Sequence, residues 1–338
     1  MNLKNNPTLK SSKIRVGLTI GDPAGIGPAI TLLALRKLKT LANFTVIGTS
    51  GVLARAAKLL KINHKQSLGF DFGRVEWIDL NNLESKKFKF GRLDAQNGRA
   101  SVEYLDVALK LLKNKKIDCL VTCPISKEAI NLAGSKFFGH TEYLASATGC
   151  QDLVMMLLND KLKFSLLTRH IRLRDVSKML TRENIENNIL NTVRGLKKLF
   201  LIKNPRLVVC GVNPHASDNG LIGLEEKEVI MPVIKKLNKK LNGLIANKVW
   251  GADSAISSAA QGKFDCLIAA YHDQALIALK LTGFESGVNL TLGLPFVRTS
   301  PLHGVAFDIA SKPVLADPYS LIAAIKLAIK CTLNQKRV

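Results

Sequence analysis

Apolar residues along this chain fall into short runs separated by longer amphipathic stretches. The runs "IRVGLTI", "FTVIG", "VEWIDL", "DCLVTC", "FSLLT", "RLVVCGV" and "DCLIAAY" have the length and β-branched content of buried strands. Between them, stretches such as "ASVEYLDVALKLLK" and "ENIENNILNTVRGLKKLF" repeat apolar positions at helical spacing. Such alternation predicts an α/β protein with a largely parallel sheet. The 338 residues are enough for two domains. Internal repeats and low-complexity linkers are absent from the sequence, so a domain boundary has to be a chain crossing. Residues 1 to 12 read as a disordered polar start.

The first predicted strand runs into "GDPAGIGPAI", Gly21 to Ile30, which leads into the helical "TLLALRKL". The order strand, glycine-rich turn, helix suggests a dinucleotide cradle, but the spacing is G-x-x-x-G-x-G rather than G-x-G-x-x-G. No acidic residue follows at the distance a ribose would need. The three glycines are better read as letting the strand turn sharply into a helix, with Pro28 suited to its first turn.

Composition narrows the class without deciding it. The chain is 47% hydrophobic and 22% charged, as soluble globular proteins are. No apolar run approaches the roughly 18 residues of a membrane span, and the basic start lacks a signal-peptide core, so a cytoplasmic location is expected. A formal charge of +23 raises the question of nucleic acid. The basic residues are scattered as "RKLK", "KNKK", "RGLKK" and "KKLNKK", however, which predicts solvated helix faces and no nucleic-acid partner. A positive field of this kind also draws in small anions. Cys119, Cys210 and Cys266 lie inside apolar runs, and the six cysteines match neither a zinc nor a disulfide pattern.

In open α/β sheets, ligands bind beyond the carboxyl ends of the strands. Three of the six histidines occupy that kind of position: His170 in "TRHIRLRD", His215 in "NPHASDNG" and His272 in "YHDQALIALK". Three imidazoles at strand ends suit one divalent cation with positions left for a substrate, or are unrelated loop residues. Spacings of 45 and 57 residues do not decide between these.

Other polar residues stand out in apolar surroundings. "GHTEYLA" puts His140 and Thr141 at a helix start, either as a plain cap or as an anion seat. "GVNLTLGLPFVRTSPLHG" carries Asn289, Arg298 and His303, with Arg298 either a structural ion-pair former or a clamp for carboxylate or phosphate. Lys280 lies eight residues after His272, which on a helix is roughly 80° beyond two full turns and therefore beside it.

Together these motifs resemble the 4-hydroxythreonine-4-phosphate dehydrogenases of pyridoxal phosphate biosynthesis, from about Ile14 to Ile329. The likeness rests on "GDPAGIGP", "VTCPISKEAIN", "GHTEYLA", "NPHA", "YHDQ", "LK" at 279 to 280 and "GVNLTLGLPFVRTSPLHG". It implies the two-domain α/β/α architecture of isocitrate and isopropylmalate dehydrogenases rather than a Rossmann fold. The implied domains are residues 13–130 with 297–338, and 131–296, with the cleft between them. It further implies a homodimer whose active site lies at the subunit interface. His170, His215 and His272 would bind the divalent metal (zinc, magnesium or cobalt), one of them from the partner subunit. His140, Thr141, Lys280, Asn289 and Arg298 would hold a phosphorylated substrate, and Lys280 and Asp253 are the candidates for moving a proton.

The implied reaction is the NAD- or NADP-linked oxidation and decarboxylation of 4-phosphohydroxy-L-threonine. The runner-up is a dehydrogenase of another four-carbon phosphorylated acid, a phosphothreonate or phosphoerythronate. A non-catalytic anion- or nucleic-acid-binding relative is the remote alternative. The chain departs from the family's usual residues at Ala29, at Arg169 and Arg172, at Ser217 and Asp218 (usually glycine and glutamate) and at Ala275 (usually glycine). A side chain at Ser217 or Ala275 is expected to conflict with any positive φ there.

Overall fold

The computed structural model describes residues 14–62, 75–84, 88–137 and 139–337, so the expected polar start at residues 1 to 12 lies outside the described residues. In chain order come β1 (Arg15–Thr19), α1 (Gly27–Leu38), β2 (Asn43–Gly48), α2 (Ser50–Leu59), β3 (Val75–Asp79), α3 (Ala95–Lys113), β4 (Cys119–Thr122) and α4 (Lys127–Leu132). Then follow α5 (His140–Thr148), β5 (Val154–Leu158), β6 (Lys163–Leu166), α6 (Val176–Met179), α7 (Arg182–Phe200), β7 (Leu207–Val209), α8 (Met231–Leu241) and α9 (Ala252–Ala260). The chain ends with β8 (Cys266–Ala269), α10 (His272–Gly283), β9 (Val288–Leu292), β10 (Val297–Pro301), α11 (Phe307–Ala310) and α12 (Tyr319–Gln335). Two compact units result: Met1–Tyr143 with Phe296–Leu333, and Leu144–Pro295 with Asn334–Val338.

The first unit is built on strands in the order β3-β2-β1-β4-β10, and every pair is parallel. β4 is buried along its whole length and β1 at all but Arg15, as expected of a parallel sheet covered on both faces. The register sets Thr19 beside Thr122 and Arg298 beside Leu120. The turn after β1 has the sharpness that its glycines suggest. Gly21 takes φ 71°, and a Cβ on Gly27 would stand 2.0 Å from the Ile20 carbonyl oxygen, so α1 rests directly on the strand end. Pro28 sits in the first turn of α1.

In the second unit the order is β9-β5-β6-β8-β7. β5 is antiparallel to both neighbours, whereas β6, β8 and β7 run parallel. α7 is capped by Thr181, which accepts from the Asn184 amide, and it buries Ile185, Ile189, Val193 and Leu196. Gly195 permits close packing, because a Cβ there would meet Leu292 at 2.8 Å. Asn188 is buried on the same helix, accepting from Ser165 Oγ at 2.7 Å and donating to the Leu166 carbonyl at 2.8 Å.

All seven strands predicted from the apolar runs are present. β5, β9 and β10 were not among them. The basic runs lie where the helical pattern places them: Arg36, Lys37 and Lys39, Lys113, Lys115 and Lys116, and Lys235, Lys236, Lys239 and Lys240 are all exposed. Cys119, Cys210 and Cys266 are fully buried, and all six cysteines are free thiols. No helix of the described residues is long and apolar enough to cross a membrane.

Candidate functional site

The second unit carries the three histidines. β6 and β8 are parallel neighbours, so the segments that leave them emerge at the same edge. Thr168 fastens the first segment to the second: its amide and its Oγ1 both donate to the Ala270 carbonyl, at 3.1 and 2.7 Å. His170 follows Thr168 and His272 opens α10, and their ring centroids are 5.5 Å apart. His272 Nδ1 lies 2.7 Å from Asp273 Oδ1. A carboxylate there favours the Nδ1–H tautomer and leaves Nε2 as an electron-pair donor, the usual arrangement behind a metal-binding imidazole.

His215 follows β7 in an unusual segment. Five consecutive residues, His215, Ala216, Ser217, Asp218 and Asn219, all adopt left-handed backbone angles, with φ between 43° and 67°. Outside glycine this conformation costs roughly 1–2 kcal/mol per residue, less for Asp and Asn. Something must therefore hold the segment, and Glu226 does so on one side. Glu226 is 3% exposed, and its Oε1 accepts from the Val212 and Asn213 amides at 2.8 and 2.9 Å. Asn213 Nδ2 adds bonds to Glu225 Oε2 and Glu226 Oε2. Both glutamates belong to Glu225–Ile230, a stretch of wider, π-type winding that leads into α8. Asp218 Oδ2 lies 3.3 Å from His215 Nδ1, a second carboxylate–imidazole pair.

One chain brings together two of the three expected ligands, His170 and His272. No group of three histidine, cysteine, aspartate or glutamate side chains among the described residues is arranged to hold a metal ion, and His215 does not join the pair. The donor chemistry nonetheless fits a divalent cation: imidazole nitrogens, two of the rings backed by carboxylates. Lys280 lies exposed on α10, Asp253 in the first turn of α9, and Asn289 on β9. Asn289 Oδ1 is buried without a hydrogen-bond partner among the described residues.

The first unit carries an anion-seeking group. Arg298 on β10 is 2% exposed and its Nη2 donates to Thr122 Oγ1 at 2.6 Å. Burial lowers its pKa to about 10, against the pull of the Glu142 charge. His140 opens α5. Its Nε2 is closed off from solvent without a partner among the described residues, and burial, then the Arg298 charge, holds its pKa well below the ordinary value. Thr141 is buried beside it. A buried guanidinium and a neutral imidazole at a helix start suit a phosphate or carboxylate.

The departures resolve differently. Ala275 lies buried inside α10 with no positive φ, so an alanine is accommodated. Ser217 does sit at φ 67° and bears the expected conflict. Arg172 pairs with Asp175 at 2.9 Å, while Arg169 Nη1 is buried without a partner among the described residues. Sequence reasoning missed Glu226, Thr122 and Asp22. Asp22 is fully buried in the turn after β1; burial raises its pKa to about 6, and Ala24 N donates to its Oδ1 at 2.9 Å. Only Asp22 had a local signal, a charged residue within a glycine-rich apolar turn.

Comparison with known proteins agrees across nearly the whole chain. The family model described as pyridoxal phosphate biosynthetic protein PdxA matches residues 40–328. A 4-hydroxythreonine-4-phosphate dehydrogenase from a Sulfurihydrogenibium species is 41% identical over 319 residues, covering 94% of this chain and 98% of the relative. A protein of Halalkalibacterium halodurans provisionally named D-threonate 4-phosphate dehydrogenase is 40% identical, covering 93% and 96%. The crystal structure of a 4-hydroxythreonine-4-phosphate dehydrogenase from Klebsiella pneumoniae superposes with a TM-score of 0.82 at 34% identity, covering 95% of this chain and 98% of that one.

Proposed function

The chain belongs to the family of the pyridoxal phosphate biosynthetic protein PdxA, and from that premise we propose that it oxidises and decarboxylates 4-phosphohydroxy-L-threonine to 3-amino-2-oxopropyl phosphate and CO2. The reading includes a divalent metal and NAD or NADP. The observation that carries it is the His170–His272 pair with Asp273 behind it, in a chain that also buries Arg298 and the Nε2 of a neutral His140.

When bound, the metal supplies Lewis-acid polarisation of the substrate oxygen and the nicotinamide supplies the hydride acceptor. The residues of the chain do the rest. His170, His215 and His272 hold the metal through imidazole nitrogens. Arg298, His140 and Thr141 bind the phosphate by charge-assisted and neutral hydrogen bonds, together with Lys280 and Asn289. The Lys280 amine and the Asp253 carboxylate are the candidates for moving the proton.

A homodimer is part of the same reading. Each histidine-bearing segment also carries exposed apolar side chains: Ile171 and Leu173 beside His170, Leu221 and Ile222 after His215, Ile277 and Leu281 on α10. Leu221 and Leu281 are 89% and 83% exposed, an apolar display that water disfavours and a second subunit would cover. His170 and His272 come from one chain, so His215 of the partner subunit is the ligand that completes the set. Six free cysteines fit a reducing cytoplasm.

Similarity to the Halalkalibacterium protein favours a second substrate, D-threonate 4-phosphate, which shares the phosphate, carboxylate and hydroxyl. The deciding experiment follows NAD+ and NADP+ reduction with each phosphorylated acid, before and after chelation and metal restoration. Absence of turnover with every one of them in the presence of metal would end the enzyme reading.

A further inference from the structure

Gln274 stands where the segments bearing the three histidines meet. Its Oε1 accepts from the Ala270 amide at 2.8 Å, and its Nε2 donates to the Gly211 carbonyl at 2.8 Å. Both partners are backbone groups, one only a donor and the other only an acceptor, so the orientation of the amide is fixed. The Ala270 carbonyl accepts from Thr168, two residues before His170. Gly211 begins the segment that leads through Val212 and Asn213, gripped by Glu226, to His215. Gln274 itself lies two residues after His272. One side chain thus ties the exits of β7 and β8 together, and Thr168 joins the exit of β6 to them through the same Ala270.

Half of this is ordinary. A glutamine or glutamate at the third helical position commonly reaches back to a free amide before the helix, as the Gln274–Ala270 bond does. Capping needs only the carbonyl oxygen, and a glutamate would do as well. The bond to Gly211 needs the NH2 group, and it spans 63 residues of sequence.

We propose that Gln274 is a positioning residue: it fixes where this chain presents His215 to the partner's metal site relative to where it presents His170 and His272 to its own, and so sets the metal geometry of both sites of the dimer. This rests on the reading that these histidines bind the metal. The test uses the purified full chain, stripped of metal and titrated with Co2+, whose visible absorption reports coordination. Wild type is expected to bind and His272→Ala to lose binding. Gln274→Met removes both bonds, and its Co2+ affinity should fall by about 10- to 100-fold, the range for supporting residues of metal sites. Gln274→Glu keeps the cap and loses the tether; it should restore the melting temperature of the metal-free protein but not the Co2+ affinity or spectrum. If Gln274→Met binds Co2+ as wild type does, or Gln274→Glu restores the affinity, the tether is without function and the proposal fails. If wild type binds no Co2+, the metal reading fails instead, and the inference falls with it.

Discussion

His170 and His272 leave different strands, 102 residues apart in sequence, and bring their rings to 5.5 Å in the same chain. In the proposed metal site, His215 is the ligand recruited from the other subunit. Inactive His215→Ala and inactive His272→Ala proteins, mixed after dissociation, should recover activity, because each mixed dimer holds one intact site. Random pairing of equal amounts gives about a quarter of wild-type activity in a two-fold dimer. His170→Ala mixed with His272→Ala should recover none. The reverse pattern of recovery would assign the ligands differently.

Ser217 carries a left-handed backbone with an ordinary side chain. Ser217→Gly should stabilise the fold by about 1 kcal/mol, the relief of left-handed strain less the added entropy of the unfolded glycine. Urea denaturation of the two proteins measures this; an unchanged midpoint would mean that the loop is held without strain at that residue.

Asp22 and His140 predict opposite pH slopes. The folded chain keeps a proton on Asp22 up to about pH 6, where an ordinary aspartate has lost it near 3.8. Its contribution therefore favours folding at low pH and fades as pH rises from about 4 to 6, by up to about 3 kcal/mol. Asp22→Asn keeps an acceptor for Ala24 N and should remove that fall, so stability near pH 7.5 should exceed wild type. Denaturation curves at pH 5 and 7.5 compare them, and equal slopes would count against the buried proton.

His140 stays neutral in the fold while the unfolded residue takes up a proton as pH falls through about 6.5. The stability tied to its neutral form is thus present above that pH and lost on acidification. In an NMR titration its ring signals should hold their neutral positions at pH 6.5, where an exposed histidine is half protonated. Half-titration there would refute the burial argument.

Arg298 reaches Thr122 with one arm of a planar fork. Arg298→Lys keeps the charge but not the fork, and KM for the phosphorylated substrate should rise tenfold or more with a smaller change in kcat. An unchanged KM would remove Arg298 from substrate binding.

Strands flanked by recognisable turns were legible in the sequence, as were the histidines that follow them. β5 was not: "VMMLL" is short, wholly apolar and without β-branching except at Val154, so it has no period of its own. β9 and β10 were hidden differently, because Gly293 and Pro295 between them give the segment the look of a loop, and Arg298 interrupts the apolar pattern of β10. The Gln274–Gly211 bond had no sequence signal, since register between β7 and β8 alone brings those residues together.

The wide winding of Glu225–Ile230 places Glu226 under the His215 segment. A π-type turn holds more residues than an α turn, so deleting a single residue there would swing Glu226 by about 100° around the helix axis. The aim of a histidine ten residues upstream is thereby written in the number of residues in a helix as well as in their identity, and a one-residue length change in this stretch is expected to be more damaging than most substitutions within it.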